Sequence, residues 1–255
     1  MKKQLVVSLI IGLSVLISPT VVLGQGVASP AGTVRQAVQD KRVTNLQTRG
    51  VAEIDRRLMT LDNLLTRLNS STRLSNSSKA ALIATIQNEI TGLTALKGQI
   101  QAETDLVNLR VFAKSITDSY RVYGLVMPQV QLVVATDRVI DTGTRMATVS
   151  AEIEADLVEM EAAGQNVTTA ITSINSAMTK IENALKVANT VQTNVLALTP
   201  AGYPGNRSTL TSSRQQLRTA ITDLATARKD ITGALTTMSK ISSNVGNSTP
   251  SAVIR

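Results

Sequence analysis

The 255-residue chain is predicted to be all-α, an elongated antiparallel helical bundle or coiled coil of about five long helices. Three observations predict it. Proline is absent between Ala31 and Met127 and between Gln129 and Thr199. Within those stretches apolar residues recur at alternating steps of three and four, the period of helices packed side by side at shallow angles. No run alternates with the two-residue period that a strand needs.

The first helix is expected near 33–69, where Val51, Ile54, Leu58, Leu61, Leu65 and Leu68 keep the step without a miss. Asn69-Ser70-Ser71 and Ser75-Asn76-Ser77-Ser78 then supply side chains suited to capping. The second helix, near 77–103, carries Ile83, Ile86, Ile90, Leu93 and Ile100, with Lys97 as a charged exception. Thr104-Asp105-Leu106 reads as a cap and first turn, so a tight corner is expected there. The third helix, 105–163, is the longest. Its seam runs Leu106, Leu109, Ala113, Ile116, Tyr120, Tyr123, Met127, Val130 and Val134. Pro128 marks a place for a kink or division.

After Val134 the same phase calls for Asp137 and Asp141, and the apolar phase resumes at Met146, Val149, Ile153, Leu157 and Met160. We read this as a coiled-coil phase shift with solvated aspartates. The sharper alternative is a polar layer in which Asp137 or Asp141 meets Arg138 or Arg145 inside the bundle. Gly164 is placed to end the third helix and Asn166 to cap a fourth, near 167–198, built on Ile171, Ile174, Met178, Ile181, Leu185 and Ala188. Thr199-Pro200-Ala201-Gly202-Tyr203-Pro204-Gly205-Asn206 is a loop, since two prolines and two glycines in eight residues do not fit a helix interior. A fifth helix near 208–244 carries Leu217, Ala220, Leu224, Ala227, Ile231, Ala234, Met238 and Ile241. Thr169-Ala170-Ile171-Thr172 recurs as Thr219-Ala220-Ile221-Thr222, which two heptad helices of similar composition produce without duplication.

Composition excludes much chemistry. With no histidine and no cysteine, thiol nucleophiles, imidazole bases, disulfides and conventional zinc or haem sites are gone. One phenylalanine, three tyrosines and no tryptophan are too few for a stacking platform for bases or sugars. The nucleotide-binding glycine motifs and the Gly-x-Ser-x-Gly and Ser-x-x-Lys nucleophile motifs are missing. Serine and threonine number 54, which suits a well-solvated surface and close helix contacts. No residue is assigned a catalytic, cofactor-binding or metal-ligating role, and no enzyme is expected.

The N-terminus has the layout of a cleaved secretory signal. A basic start, Met1-Lys2-Lys3-Gln4, precedes the apolar run Leu5–Ile17; Pro19 follows, and Val22-Leu23-Gly24 places small or modest residues before Gln25. A retained membrane anchor is the alternative, since Leu5–Gly24 is just long enough to span. The expected organisation is a signal at 1–24, a flexible segment at 25–32, a helical bundle at 33–244 and a flexible tail at 245–255. The destination is periplasmic, cell-surface or extracellular.

Charge is uneven. Residues 25–75 carry a net +4, residues 76–199 a net −3 and residues 200–255 a net +5. The acidic run Glu152, Glu154, Asp156, Glu159 and Glu161 contains no basic residue. It is expected to lie alongside basic parts of the first or last helix. Glu152, Asp156 and Glu159 share one face, but a calcium-binding loop is missing, so we read a solvated face rather than a metal site.

Two stretches, Ser119-Tyr120-Arg121-Val122-Tyr123-Gly124-Leu125-Val126-Met127-Pro128-Gln129-Val130 and Leu198-Thr199-Pro200-Ala201-Gly202-Tyr203-Pro204, resemble a group of uncharacterised exported helical proteins from small-genome candidate-phylum bacteria. The resemblance extends loosely over residues 50–240. It implies a helical class and an envelope destination, with no activity and no site residues.

The function expected is therefore a non-enzymatic exported scaffold or binding module. Its partners are a protein or a second copy, and anionic envelope polymers or a membrane surface. No specific nucleic acid, cofactor or small-molecule substrate is implied. The alternative is a membrane-active or pore-forming protein using the apolar stretch Val122–Ala135, with Pro128 as a hinge and Tyr120 and Tyr123 at an interface. Fourteen residues are too short to span as a helix, and a centrally buried helix needs the same composition.

Overall fold

The computed structural model describes residues 30–72 and 74–247. The expected signal at 1–24, residues 25–29 and residues 248–255 lie outside them. The described residues are helical almost throughout, with no strand among them. The chain divides into two units, 1–40 and 41–255. In the first, residues 33–40 are exposed helix, and Gln36 Nε2 donates to Asp40 Oδ1 at 2.9 Å.

The helices are α1 (Pro30–Ser70), α2 (Asn76–Ala102), α3 (Leu106–Asp118), α4 (Met127–Ala162), α5 (Thr168–Leu196) and α6 (Asn206–Asn247). Five are long and α3 is short, so the helical count expected from the period stands with one division. The segment 25–32, expected to be flexible, is helical from Pro30 on, because the first turn of a helix has no partner for the N–H that proline lacks. Residues 245–247, expected to be tail, continue α6.

In the larger unit α1 and α2 form an antiparallel hairpin. Gln47 Nε2 donates to the Glu103 carbonyl at 2.8 Å, and Lys97 Nζ reaches Asp55 Oδ1 at 2.6 Å. Ser75 caps α2 by accepting from Ser78 N–H at 3.2 Å, and Asp105 caps α3 by accepting from Val107 and Asn108 N–H. The centre of the α2 stripe is Leu82, Ile86, Glu89, Leu93, Leu96 and Ile100, with Ile83 and Ile90 at its margin. Lys97, the apparent exception, stands beside that stripe, and Glu89 lies in it. Helix α3 joins where Gly50 approaches both Ile100 and Ile116.

The expected single helix 105–163 is divided. Helix α3 ends at Asp118, and the chain re-enters through a π turn, Val122–Val126, that leads into α4. The Arg121 carbonyl accepts from both Leu125 N–H, at 2.7 Å, and Val126 N–H, at 3.1 Å, and Met127 N–H bonds back to Val122. Proline explains the widened turn. Pro128 has no N–H for the carbonyl four residues back, and its ring crowds that carbonyl.

The expected phase slip in α4 is also corrected. One line of positions, 129, 132, 136, 139, 143, 150, 153 and 157, is buried from end to end, with Met146 half-buried within it. Hydrophobicity missed it because Gln129, Thr136, Gly143 and Ser150 belong to it. At Gly143 the helices approach so closely that a Cβ would lie 2.8 Å from Leu185 Cδ2 and 3.6 Å from Leu224 Cδ2.

Helices α4, α5 and α6 run up, down and up around that seam. Gly164, at φ +81, ends α4, with Gln165 N–H returning to the Met160 carbonyl. The α5 stripe is Ala170, Ile174, Ala177, Ile181, Ala184, Ala188, Val191 and Val195; that of α6 is Leu210, Leu217, Ala220, Leu224, Ala227, Ile231 and Ala234. Small alanines between branched residues let the two helices interdigitate. Exposed and half-buried threonines return their hydroxyl hydrogens to their own helix, four residues back, as at Thr85, Thr190, Thr226, Thr232 and Thr236.

Candidate functional site

The π turn gathers all three tyrosines of the chain. The Tyr120 ring lies against Gly92 of α2, where any Cβ would fall 2.5 Å from the ring. The Arg57 guanidinium of α1 stands 5.2 Å from the Tyr123 ring centroid, and that of Arg121 4.2 Å from the Tyr203 ring. Arg57 is buried and paired with Glu53 one turn earlier. Burial lowers its pKa, and Tyr123 opposes that shift.

Glu89 is buried nearby with Oε2 unbonded within the protein. Burial raises its pKa to about 7. Burial likewise raises the pKa of Tyr120, reinforced by the Glu89 charge. Arg57 Nε and Arg121 Nε are also buried without a partner. This cluster joins α1, α2, the π turn and the 199–206 loop. Sequence reasoning missed Glu89, Arg57, Arg121 and Tyr203. For Glu89 the signal existed, because it stands three residues after the buried Ile86.

Asp137 is the second buried carboxylate, and it overturns the expectation of solvated aspartates. It accepts from Ser75 N–H at 3.0 Å, the Ser75 and Ser78 hydroxyls at 3.3 Å and Gln192 Nε2 at 2.5 Å. A polar layer does form, but its donors are the N-terminus of α2 and an amide of α5 rather than arginine. The positive end of the α2 dipole and four donors hold the charge there. Asp141 instead pairs with Arg145 on the exposed surface at 3.0 Å. Gln129, buried beside the π turn, ties α4 to the end of α5 through the Val195 carbonyl at 2.8 Å.

Val122, Leu125, Val126, Val130, Leu132 and Val133, from the apolar stretch 122–135, lie in the core, and Tyr123 remains half exposed. No helix among the described residues is long and apolar enough to cross a membrane.

Arginines border two apolar crevices on α4. One of about 420 Å³ lies between α1 and α4, with Leu68, Val130 and Val134 inside and Arg67 and Arg138 at its edge. Another of about 400 Å³ lies between α4 and α6, with Val139, Met146 and Leu224 inside and Arg138 and Arg228 at its edge. None of these three arginines takes part in an ion pair among the described residues.

The acidic run does not meet basic helices as expected. Glu152, Glu154, Asp156, Glu159 and Glu161 are exposed and form no ion pair among the described residues. The physical reason is register. Gly143 stands level with Leu224, so the run lies beside a part of α6 whose one cation is Lys240. No group of carboxylates suited to a metal ion occurs among the described residues. Comparison with protein-family models, curated proteins and solved structures returns no match.

Proposed function

We propose that the chain is a non-enzymatic helical scaffold or binding module exported to the cell envelope or surface. The observation that carries this reading is the set of exposed arginines Arg67, Arg138 and Arg228, standing beside apolar crevices with no carboxylate partner among the described residues. Guanidinium groups in that setting attract anionic polymers, membrane headgroups or acidic protein surfaces.

Co-sedimentation with vesicles tests the attraction. Binding to anionic vesicles, loss of that binding at about 1 M salt, and a several-fold decrease on combining Arg67→Glu with Arg228→Glu are expected. Equal binding to zwitterionic and anionic vesicles overturns the reading. Export is checked by N-terminal sequencing of the natural protein; a first residue of Gln25 is expected, and Met1 would mean a retained anchor.

The membrane-active alternative asks core side chains at 122–133 to leave the bundle. No dye release from anionic liposomes is the outcome expected here.

A further inference from the structure

One line of α4 carries a charge pattern that the fold leaves unused. Arg138, Arg145, Glu152 and Glu159 are spaced seven residues apart, so they occupy one heptad position. All four are exposed. Thr142, Val149 and Asp156 form the neighbouring line on the same side. The first half of this stripe is cationic and the second half anionic. Arg145 is engaged only by the exposed pair with Asp141, which is weak.

Arg138 and Arg145, the cationic half of the stripe, edge the α4–α6 groove. Val139, Met146, Leu224 and Ile231 line that groove. Val149, Ile221 and Leu235 stand 43%, 51% and 45% exposed. An apolar seam flanked by charged heptad positions is the arrangement with which helices select a partner and its orientation.

We propose that this face docks a second copy of the chain, α4 against α4 and antiparallel. The proposal rests on the reading of the chain as a binding module and names its partner. A two-fold axis crossing α4 between residues 148 and 149 sets Arg138 opposite Glu159 of the second copy and Arg145 opposite Glu152. The same operation returns both pairs, as an isologous interface requires. Parallel docking sets arginine over arginine and glutamate over glutamate, which charge repulsion opposes. The stripe spans about 30 Å at 1.5 Å per residue, the scale of a standard interface that buries about 800 Å² per partner.

Sedimentation equilibrium of the purified protein from about 1 to about 100 µM tests this, with two charge-reversed variants. One variant combines Arg138→Glu with Arg145→Glu, giving an acidic stripe; the other combines Glu152→Arg with Glu159→Arg, giving a basic stripe. The wild type dimerises, and each variant alone dimerises at least about tenfold more weakly. An equimolar mixture of the two variants pairs again. All four positions are exposed, so melting curves close to wild type are expected. A monomeric wild type at about 100 µM, a dimer indifferent to both variants, or a mixture that stays monomeric overturns the proposal. A wild-type monomer that still binds anionic vesicles removes the docking and keeps the binding-module reading. A stripe-dependent dimer that binds anionic and zwitterionic vesicles alike keeps the docking and removes the attraction to anions.

Discussion

The α5–α6 pair and the first half of α4 bury themselves by different means. Along α5 and α6 every buried position is apolar except Asn206 and Ser213, and alanine recurs at Ala177, Ala184, Ala220, Ala227 and Ala234. In α4 between residues 129 and 137, Gln129, Thr136 and Asp137 share the interior with Val130, Leu132 and Val133. Over most of their length α5 and α6 pack on each other and on α4, and size complementarity orders them. The first half of α4 meets α1, α2, α5 and α6, so it needs directional bonds to fix which side faces which helix. The difference teaches that a heptad describes a helix with one seam and fails where a helix is surrounded.

The largest effect expected from breaking this contrast comes from Asp137→Ala. It removes the acceptor shared by the Ser75 N–H, two hydroxyls and the Gln192 amide, while the Ser75 hydroxyl and the Gln192 amide keep Ser78 Oγ as a partner. A loss of about 3 kcal/mol is expected in urea unfolding. A loss under about 1 kcal/mol would mean that packing, and not bonding, orders this region.

Ala227→Leu probes the other side of the comparison. Ala227 is fully buried on the α6 stripe, and three added carbons have no space there. Overpacking is expected to cost about 2 kcal/mol, seen as a lower unfolding midpoint with an unchanged slope. A neutral outcome would show that the α5–α6 spacing is adjustable.

Glu89→Gln gives the smallest effect and adds a pH axis. Below about pH 4.5, the ordinary carboxyl value, Glu89 is protonated in both folded and unfolded chains, and its full contribution is present. Between about 4.5 and about 7 the unfolded chain loses the proton first, so stability falls as pH rises; above about 7 the burial cost is complete. The glutamine variant is expected to match wild type near pH 4 and exceed it by about 1 kcal/mol near pH 8, as measured by paired melts. A parallel pH response in both proteins would place the titrating group elsewhere.

How much was legible follows from the same contrast. The α6 seam was read nearly residue for residue, because Leu217, Ala220, Leu224, Ala227, Ile231 and Ala234 are apolar and face one groove. Asp105 and Gly164 were legible because capping and helix ending are local chemistry. The α4 seam was not, since Gln129, Thr136, Gly143 and Ser150 carry no apolar mark. Asp137 was misread because its donors lie 55 to 62 residues away in sequence. The tyrosine cluster depends on a π turn and a distant loop, and periodicity reports neither. The self-complementary stripe was visible only in part. Its acidic half stood out as a run, but its arginines became its counterpart only when one helix carried both on an open side.

The threonines that bond back to their own helices set how this surface meets its surroundings. Once Thr85, Thr190, Thr226, Thr232 and Thr236 have spent their hydrogens inward, they show the medium a methyl group and a lone pair. Such a wall is wetted by water yet offers little grip to passing molecules. Against such a wall the exposed guanidinium and carboxylate side chains of α4 and the exposed Val149, Ile221 and Leu235 are the features that stand out.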